Sequence, residues 1–216
     1  MDLETFRRDG ALRLRALFGA DEVDALRDLE VDRPGVRLQS RRLASLIRPA
    51  TAAASALLGE QAHPVRAVLF DKTAQTNWAL GWHQDRTIVV RERRDVPGFG
   101  PWTRKQSQLH VTPPIAVLET MATLRIHLDP CGSDNAPLKV ALGTHGLGLI
   151  GARGAATQAG QHEIIDCLAD VGDVWAYSTL ILHASERASA PRRRRVLQVD
   201  YAAGELPAGL AWAGIG

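Results

Sequence analysis

The chain has 216 residues, 45% of them hydrophobic, and 26 basic against 24 acidic side chains give a formal charge of +2. That length suits one globular domain burying about 70–75% of its unfolded surface, and the near-neutral balance argues against a non-specific nucleic-acid binder. Two cysteines, Cys131 and Cys167, are too few for a disulfide framework. The opening MDLETFRRDG lacks the apolar segment of a secretory signal, and no run approaches the roughly 18 apolar residues of a membrane span. A soluble, cytoplasmic protein is expected.

The first third reads as helical. Leu3 and Phe6 begin a short amphipathic turn that Gly10 stops. Ala20-Asp21 opens a second helix, with acidic residues where the helix dipole favours them and Val23, Leu26 and Leu29 on one side. A third runs from about Arg41 to Leu58, and Pro49 should kink or divide it. The helical part ends near residue 62.

From Pro64 the period changes to that of strands, over about eight short segments. Val65–Phe70 is β-rich, Asn77–Val90 carries a His-x-Asp pair, and Thr123–Asp129 alternates strictly with Leu124, Ile126 and Leu128 on its apolar face. Leu138–Leu142, Val174–His183 and Arg194–Tyr201 complete the set. Between them, residues 91–114 hold four prolines, two glycines and Trp102, and read as a long structureless loop, either a lid over a substrate or a solvated loop with an aromatic anchor. Residues 151–161 are Gly/Ala-rich and read as flexible. Helices followed by short strands indicate a mainly β fold with N-terminal helices packed on one side, best met by a jelly roll.

The chemistry centres on Trp82-His83-Gln84-Asp85. On a strand, His83 and Asp85 point the same way. With the distant His183 they make a 2-His-1-carboxylate set, the facial triad that holds Fe(II) and leaves positions open for reactants. A rival set exists in His127, Asp129 and His183. Two features favour His83: its strand is broken by Gly81 and followed by the long loop, as at a pocket rim, whereas His127 has Arg125 two residues away, a cation that disfavours a second one. A buried structural histidine remains the ordinary explanation for either imidazole alone.

Several blocks then carry a resemblance: Asp71-Lys72, Asn77-Trp78, Trp82–Asp85, Arg125–Asp129, Cys131–Asn135, Gly143-Thr144-His145, and Gly172-Asp173 followed by His183 and Arg194-Arg195. From about Phe70 to Tyr201 the chain resembles the phytanoyl-CoA dioxygenase family, Fe(II)- and 2-oxoglutarate-dependent oxygenases on a double-stranded β-helix, a cupin-like jelly roll. The resemblance implies iron on His83, Asp85 and His183, with Arg194 gripping the distal carboxylate of 2-oxoglutarate and Ser185 hydrogen-bonding it. It also implies O2 as the oxidant and hydroxylation of a small metabolite, with release of succinate and CO2. Halogenases on this scaffold lack the carboxylate that Asp85 supplies. Guanidinium chemistry agrees, because an arginine forks onto a carboxylate.

Strand alternation separates Arg192 and Arg194 from Arg193 and Arg195, which speaks against a continuous basic patch for nucleic acid. Asn77 shares strand parity with His83 and is a candidate contact to 2-oxoglutarate or substrate. The alternative to an enzyme is a double-stranded β-helix protein that binds a metal or ligand without catalysis. Substrate identity and oligomeric state are not written in the motifs.

Overall fold

The computed structural model describes residues 1–29 and 35–216. Residues 30–34, within the expected helical part, lie outside the described residues. Three short helical elements open the chain as the sequence indicates. Helix α1 (Leu3–Asp9) is capped by the Asp2 carboxylate, which accepts from the Thr5 amide at 3.0 Å. Its stop, Gly10, is left-handed at φ 76° and lies so close to His145 that a Cβ there would fall 2.3 Å from the ring; both facts demand glycine. Helix α2 spans Ala20–Arg27. The expected third helix is divided into α3 (Arg41–Leu46) and α4 (Arg48–Leu58), with the break at Ile47, so that Pro49 falls in the first turn of α4, where no amide donor is needed.

Thirteen strands, not eight, are assigned among the described residues. The N-terminal part is not wholly helical, since β1 (Ala11–Leu14) and β2 (Val36–Arg37) are strands. Strands β3 (Ala62–Lys72), β4 (Leu80–His83) and β5 (Ile88–Val90) follow. Then come β6 (Trp102–Lys105) and β7 (Gln108–Val111), the short helix α5 (Ile115–Glu119), β8 (Met121–His127) and β9 (Leu138–Ala141). Helix α6 (Ala155–Ala159), β10 (Ile164–Asp166), β11 (Val174–Ser178), β12 (His183–Ser185) and β13 (Arg194–Ala203) complete the order.

Two antiparallel sheets face one another. The larger has the order β1-β11-β8-β13-β3-β2 and the smaller β10-β9-β12-β4. Alternation gives the larger sheet two unlike faces. Its outer face, including Leu69, Leu124, Ile126, Leu197 and Val199, packs on Leu26, Leu43, Ile47 and Ala50 of the helices. Its inner face looks toward the smaller sheet, where Trp175 and Tyr177 of β11 pack with Leu138 and Val140 of β9.

Two loop expectations are corrected. Residues 91–114 are not structureless: β6 and β7 form a hairpin that joins β5 as a third sheet. Its turn, Gln106-Ser107, has both residues left-handed at φ 47° and 67°. That is the geometry of a tight two-residue hairpin, usually announced by Asn-Gly. The base of this arm is anchored by Ile88, Val90 and Val111 against Leu206, Leu210 and Trp212 of the C-terminal segment, with Phe99 and Trp102 packed alongside. The Gly/Ala-rich stretch contains α6, whose Ala155 and Ala159 are buried against Ala141 and Leu182. Small side chains there permit close packing. Among the described residues, no helix is long and apolar enough to cross a membrane.

Candidate metal centre

The mouth of the jelly roll brings together residues a hundred positions apart. His83, at the end of β4, sits directly opposite His183, at the start of β12, in an antiparallel ladder. Their ring centroids are 4.2 Å apart. Asp85 lies just past β4, in the connection to β5. One ligand atom from each of His83, Asp85 and His183 lies within 4.8 Å of the other two, and no second group of this kind is found among the described residues. The pairing across the ladder, and not strand parity alone, makes the convergence.

Both imidazoles are oriented the same way. His83 Nδ1 is 2.8 Å from the Gly81 carbonyl and His183 Nδ1 is 3.0 Å from that of Ile181. A carbonyl can only accept, so each Nδ1 carries the proton and each Nε2 is left with its lone pair for a metal. Burial, outweighing the attraction of Asp85, lowers the His183 pKa to about 4, so this ring is neutral at pH 7. Burial disfavours the Asp85 carboxylate, but Arg66, with Nη2 3.6 Å away, and the two histidines outweigh it and hold its pKa below the ordinary value. His183 and Asp85 are thus in the protonation states that a divalent cation requires.

Between the two ligands of the first pair lies Gln84, which sequence reasoning passed over. Its buried amide donates to the Gly148 and Leu180 carbonyls, both at 2.8 Å, and accepts from the Ile150 amide at 2.9 Å. This side chain points away from the metal centre and clamps the backbone that carries His83 and Asp85. Its position between them was the available signal.

The centre opens onto a cavity of about 360 Å³ between the sheets, within the size range of small-molecule pockets. Arg194 and Ser185 line it. Arg194 is 4% exposed, donates to the Ala136 carbonyl at 2.7 Å, and keeps Nε buried without a partner. Burial lowers its pKa from the ordinary arginine value, and no carboxylate lies within salt-bridge distance among the described residues. The neighbouring arginines point elsewhere. Arg192 pairs with Asp134, Arg193 with Asp71 and Arg195 with Asp129, all outside the cavity. Lys72, opposite Arg194 in the ladder, also lines the cavity, with Nζ 2.8 Å from the Trp78 carbonyl and 4.3 Å above the Trp78 ring. Burial, with Arg194 and Arg125 nearby, lowers its pKa to about 8. Lys72 went unremarked as a site residue, although it shares strand parity with Phe70, Val68 and Arg66, which line the same wall.

Two candidates are not brought to the cavity. Asn77 spends its amide on Ala188, donating to the carbonyl at 2.9 Å and accepting from the amide at 2.8 Å, and so ties two loops together. Strand parity failed for it because β4 begins only at Leu80. The rival triad is not assembled either. His127 is buried on β8 with its pKa lowered to about 3, first by burial and then by Arg125 and Arg194, while Asp129 is held by Arg195 in two bonds of 2.9 and 2.8 Å.

Known structures share this architecture. AviO1 from Streptomyces viridochromogenes Tue57 superposes with a TM-score of 0.66 at 20% identity, covering 95% of this chain and 94% of its own. EctD from S. alaskensis with 2-oxoglutarate and 5-hydroxyectoine gives 0.69 at 19% identity, covering 93% and 74%. HygX from Streptomyces hygroscopicus with nickel and 2-oxoglutarate bound gives 0.64 at 18% identity, covering 93% and 84%. At such identities the likeness establishes the fold alone, a cupin-like jelly roll. No curated protein is matched by the chain. The profile of the phytanoyl-CoA dioxygenase (PhyH) family matches residues 6–196. With the match running through both sheets and across the His–Asp–His group, the chain belongs to the phytanoyl-CoA dioxygenase family.

Proposed function

We propose that the chain is an Fe(II)- and 2-oxoglutarate-dependent dioxygenase that hydroxylates a small-molecule metabolite. The observation that carries this reading is the convergence of His83, Asp85 and His183, with both Nδ1 atoms already engaged, beside a buried guanidinium that has no anionic partner among the described residues. Three ligands on one side would leave the remaining positions of an octahedral ion open to reactants. Iron held there would supply O2 activation coupled to oxidative decarboxylation of 2-oxoglutarate, giving succinate and CO2.

The chain's own residues have separate tasks. Arg194 offers a charged, buried fork for one carboxylate of the co-substrate, and Ser185, two residues beyond His183, offers a hydroxyl on the same wall. Lys72 adds a cation opposite Arg194. The carbonyls of Gly81 and Ile181 hold the imidazoles in the ligating tautomer, and Gln84 holds the segment between His83 and Asp85. Phe70 from the larger sheet and Leu80 and Leu138 from the smaller one give the reacting volume its apolar lining.

The test is anaerobic Fe(II) titration followed by addition of 2-oxoglutarate and O2 with succinate detection. Wild-type protein should bind one iron and form succinate, and His183→Ala should abolish both while His127→Ala retains iron. Iron binding that survives His83→Ala and His183→Ala in folded protein would remove the proposal. Iron binding without succinate at any 2-oxoglutarate concentration would leave the non-catalytic metal binder as the better reading.

A further inference from the structure

Six cationic side chains, Arg37, Arg66, Lys72, Lys105, Arg125 and Arg194, line the cavity, against one carboxylate, Asp85. So uneven a lining carries a desolvation cost that no packing requirement explains. Arg66 is accounted for by its bond to Asp200. On the reading above, bound iron, Asp85, dianionic 2-oxoglutarate and Arg194 sum to a neutral group. Arg37, Lys72, Lys105 and Arg125 remain, and among the described residues none of them has a carboxylate within salt-bridge distance.

Their placement divides them further. Lys72 stands opposite Arg194 in the ladder and is engaged with Trp78, on the co-substrate wall. The other three come from different elements. Arg125, on β8, gives one bond of 2.8 Å to Gln198 and leaves Nε buried without a partner, above the Phe70 ring. Arg37 comes from the edge strand β2 and likewise has a buried, unpartnered Nε. Lys105 comes from the β6–β7 hairpin, whose tip is tied to the residue just before β2 by a 3.1 Å bond from Gln106 to the Gly35 carbonyl. The hairpin and the edge strand thus form a joined rim carrying cations that no carboxylate among the described residues neutralises.

We propose that Arg37 and Lys105 on this rim, with Arg125 on the inner wall, bind an anionic oxygen group of the substrate, a carboxylate or a phosphate. This deepens the oxygenase reading and rests on it for the separate seat of 2-oxoglutarate. An unpaired buried donor on each of two arginines is what a charge-assisted fork would satisfy. The anion would hold the substrate by an end remote from the carbon that reacts, leaving the apolar side chains of Phe70, Leu80 and Leu138 to the rest of the molecule.

The experiment uses protein loaded with Mn(II) and N-oxalylglycine, which fill the metal and co-substrate seats without turnover. Phenyl phosphate, phenylacetate and benzyl alcohol are then titrated calorimetrically into wild type, Arg37→Gln/Lys105→Gln and Arg37→Lys. One of the anionic probes should bind at least about tenfold tighter than benzyl alcohol, and the double variant should lose about tenfold or more of that affinity while Arg37→Lys keeps most of it. The stronger of the two anions identifies phosphate or carboxylate as the natural group. Affinity for N-oxalylglycine should be unchanged in all variants. Equal binding of the neutral probe, or anion binding indifferent to both rim substitutions, overturns the proposal. Failure of Mn(II) and N-oxalylglycine to bind would instead refute the oxygenase reading. The same titrations on the bare protein would then decide the rim's role by their dependence on Arg37.

Discussion

Along β3, Ala67 and Leu69 turn toward the helices, while Arg66, Val68, Phe70 and Lys72 turn into the cavity. On β13, Leu197 and Val199 face outward, whereas Arg194 and Gln198 face inward. The same strands therefore build two surfaces with opposite physics. The outer one removes apolar area from water, the main favourable term in folding. The inner one buries charges without full compensation and costs stability, which is the expected condition of a surface shaped for ligands. Folding and function are segregated by residue parity on a single sheet.

The largest effect should come from the inner face. Arg194→Ala should weaken 2-oxoglutarate binding by about 2–5 kcal/mol, since the carboxylate loses a buried, forked partner, whereas Arg193→Ala, paired with Asp71 outside the cavity, should leave it unchanged. Calorimetric titration and a thermal melt check both halves. The melting temperature of Arg194→Ala should hold or rise, because the arginine has no anionic partner among the described residues. Unfolding of this variant would show that the inner face also carries stability, and would break the contrast.

The outer face gives the converse. Leu124→Ala, fully buried against the helices, should lose about 2–5 kcal/mol of stability through lost transfer energy and the cavity left behind. Denaturant unfolding measures this, and the folded fraction should keep its affinity for 2-oxoglutarate. A drop in that affinity would couple the two faces.

The smallest effect extends the contrast to the third sheet. His110 of β7 is fully buried with both ring nitrogens lacking a partner, and burial, with Arg66, Arg37 and Lys105 nearby, lowers its pKa to about 4. His127 is lowered to about 3. In the unfolded chain these imidazoles regain pKa values near 6.5. As pH falls from there toward about 4, the unfolded state takes up protons that the folded state refuses, so stability falls with pH over that window. His110→Leu should flatten the acid limb and add on the order of 1 kcal/mol at pH 7 by removing an unsatisfied polar ring. Chemical unfolding across pH decides it. Loss of stability in this variant would mean that the ring has a partner and a role.

Much of this was legible from residues alone. Spacing and period gave the separation of Arg194 from Arg193 and Arg195 and the apolar stripe of Leu124, Ile126 and Leu128, residue chemistry gave the stop at Gly10 and the split near Pro49, and the resemblance to a known family singled out His83, Asp85 and His183 from the two possible sets. The failures have local causes. The β6–β7 hairpin was hidden because its turn is Gln106-Ser107 and not Asn-Gly, and because prolines flank it. Strand β1 (ALRL) lacks β-branched residues and exists by pairing with β11. Asn77 was assigned by the parity of a strand that starts only three residues later.

By itself the sequence determined which side chains alternate on each strand, and hence that histidines, a carboxylate and arginines would share faces. Which of those faces meet was decided only by the tertiary structure. The antiparallel pairing of β4 with β12 brought His83 opposite His183, and the hairpin's tie to the residue just before β2 set Lys105 beside the cavity that Arg37 lines. The reason is physical: side-chain direction is a local consequence of backbone geometry, whereas strand partners are selected by the burial of surfaces far apart along the chain.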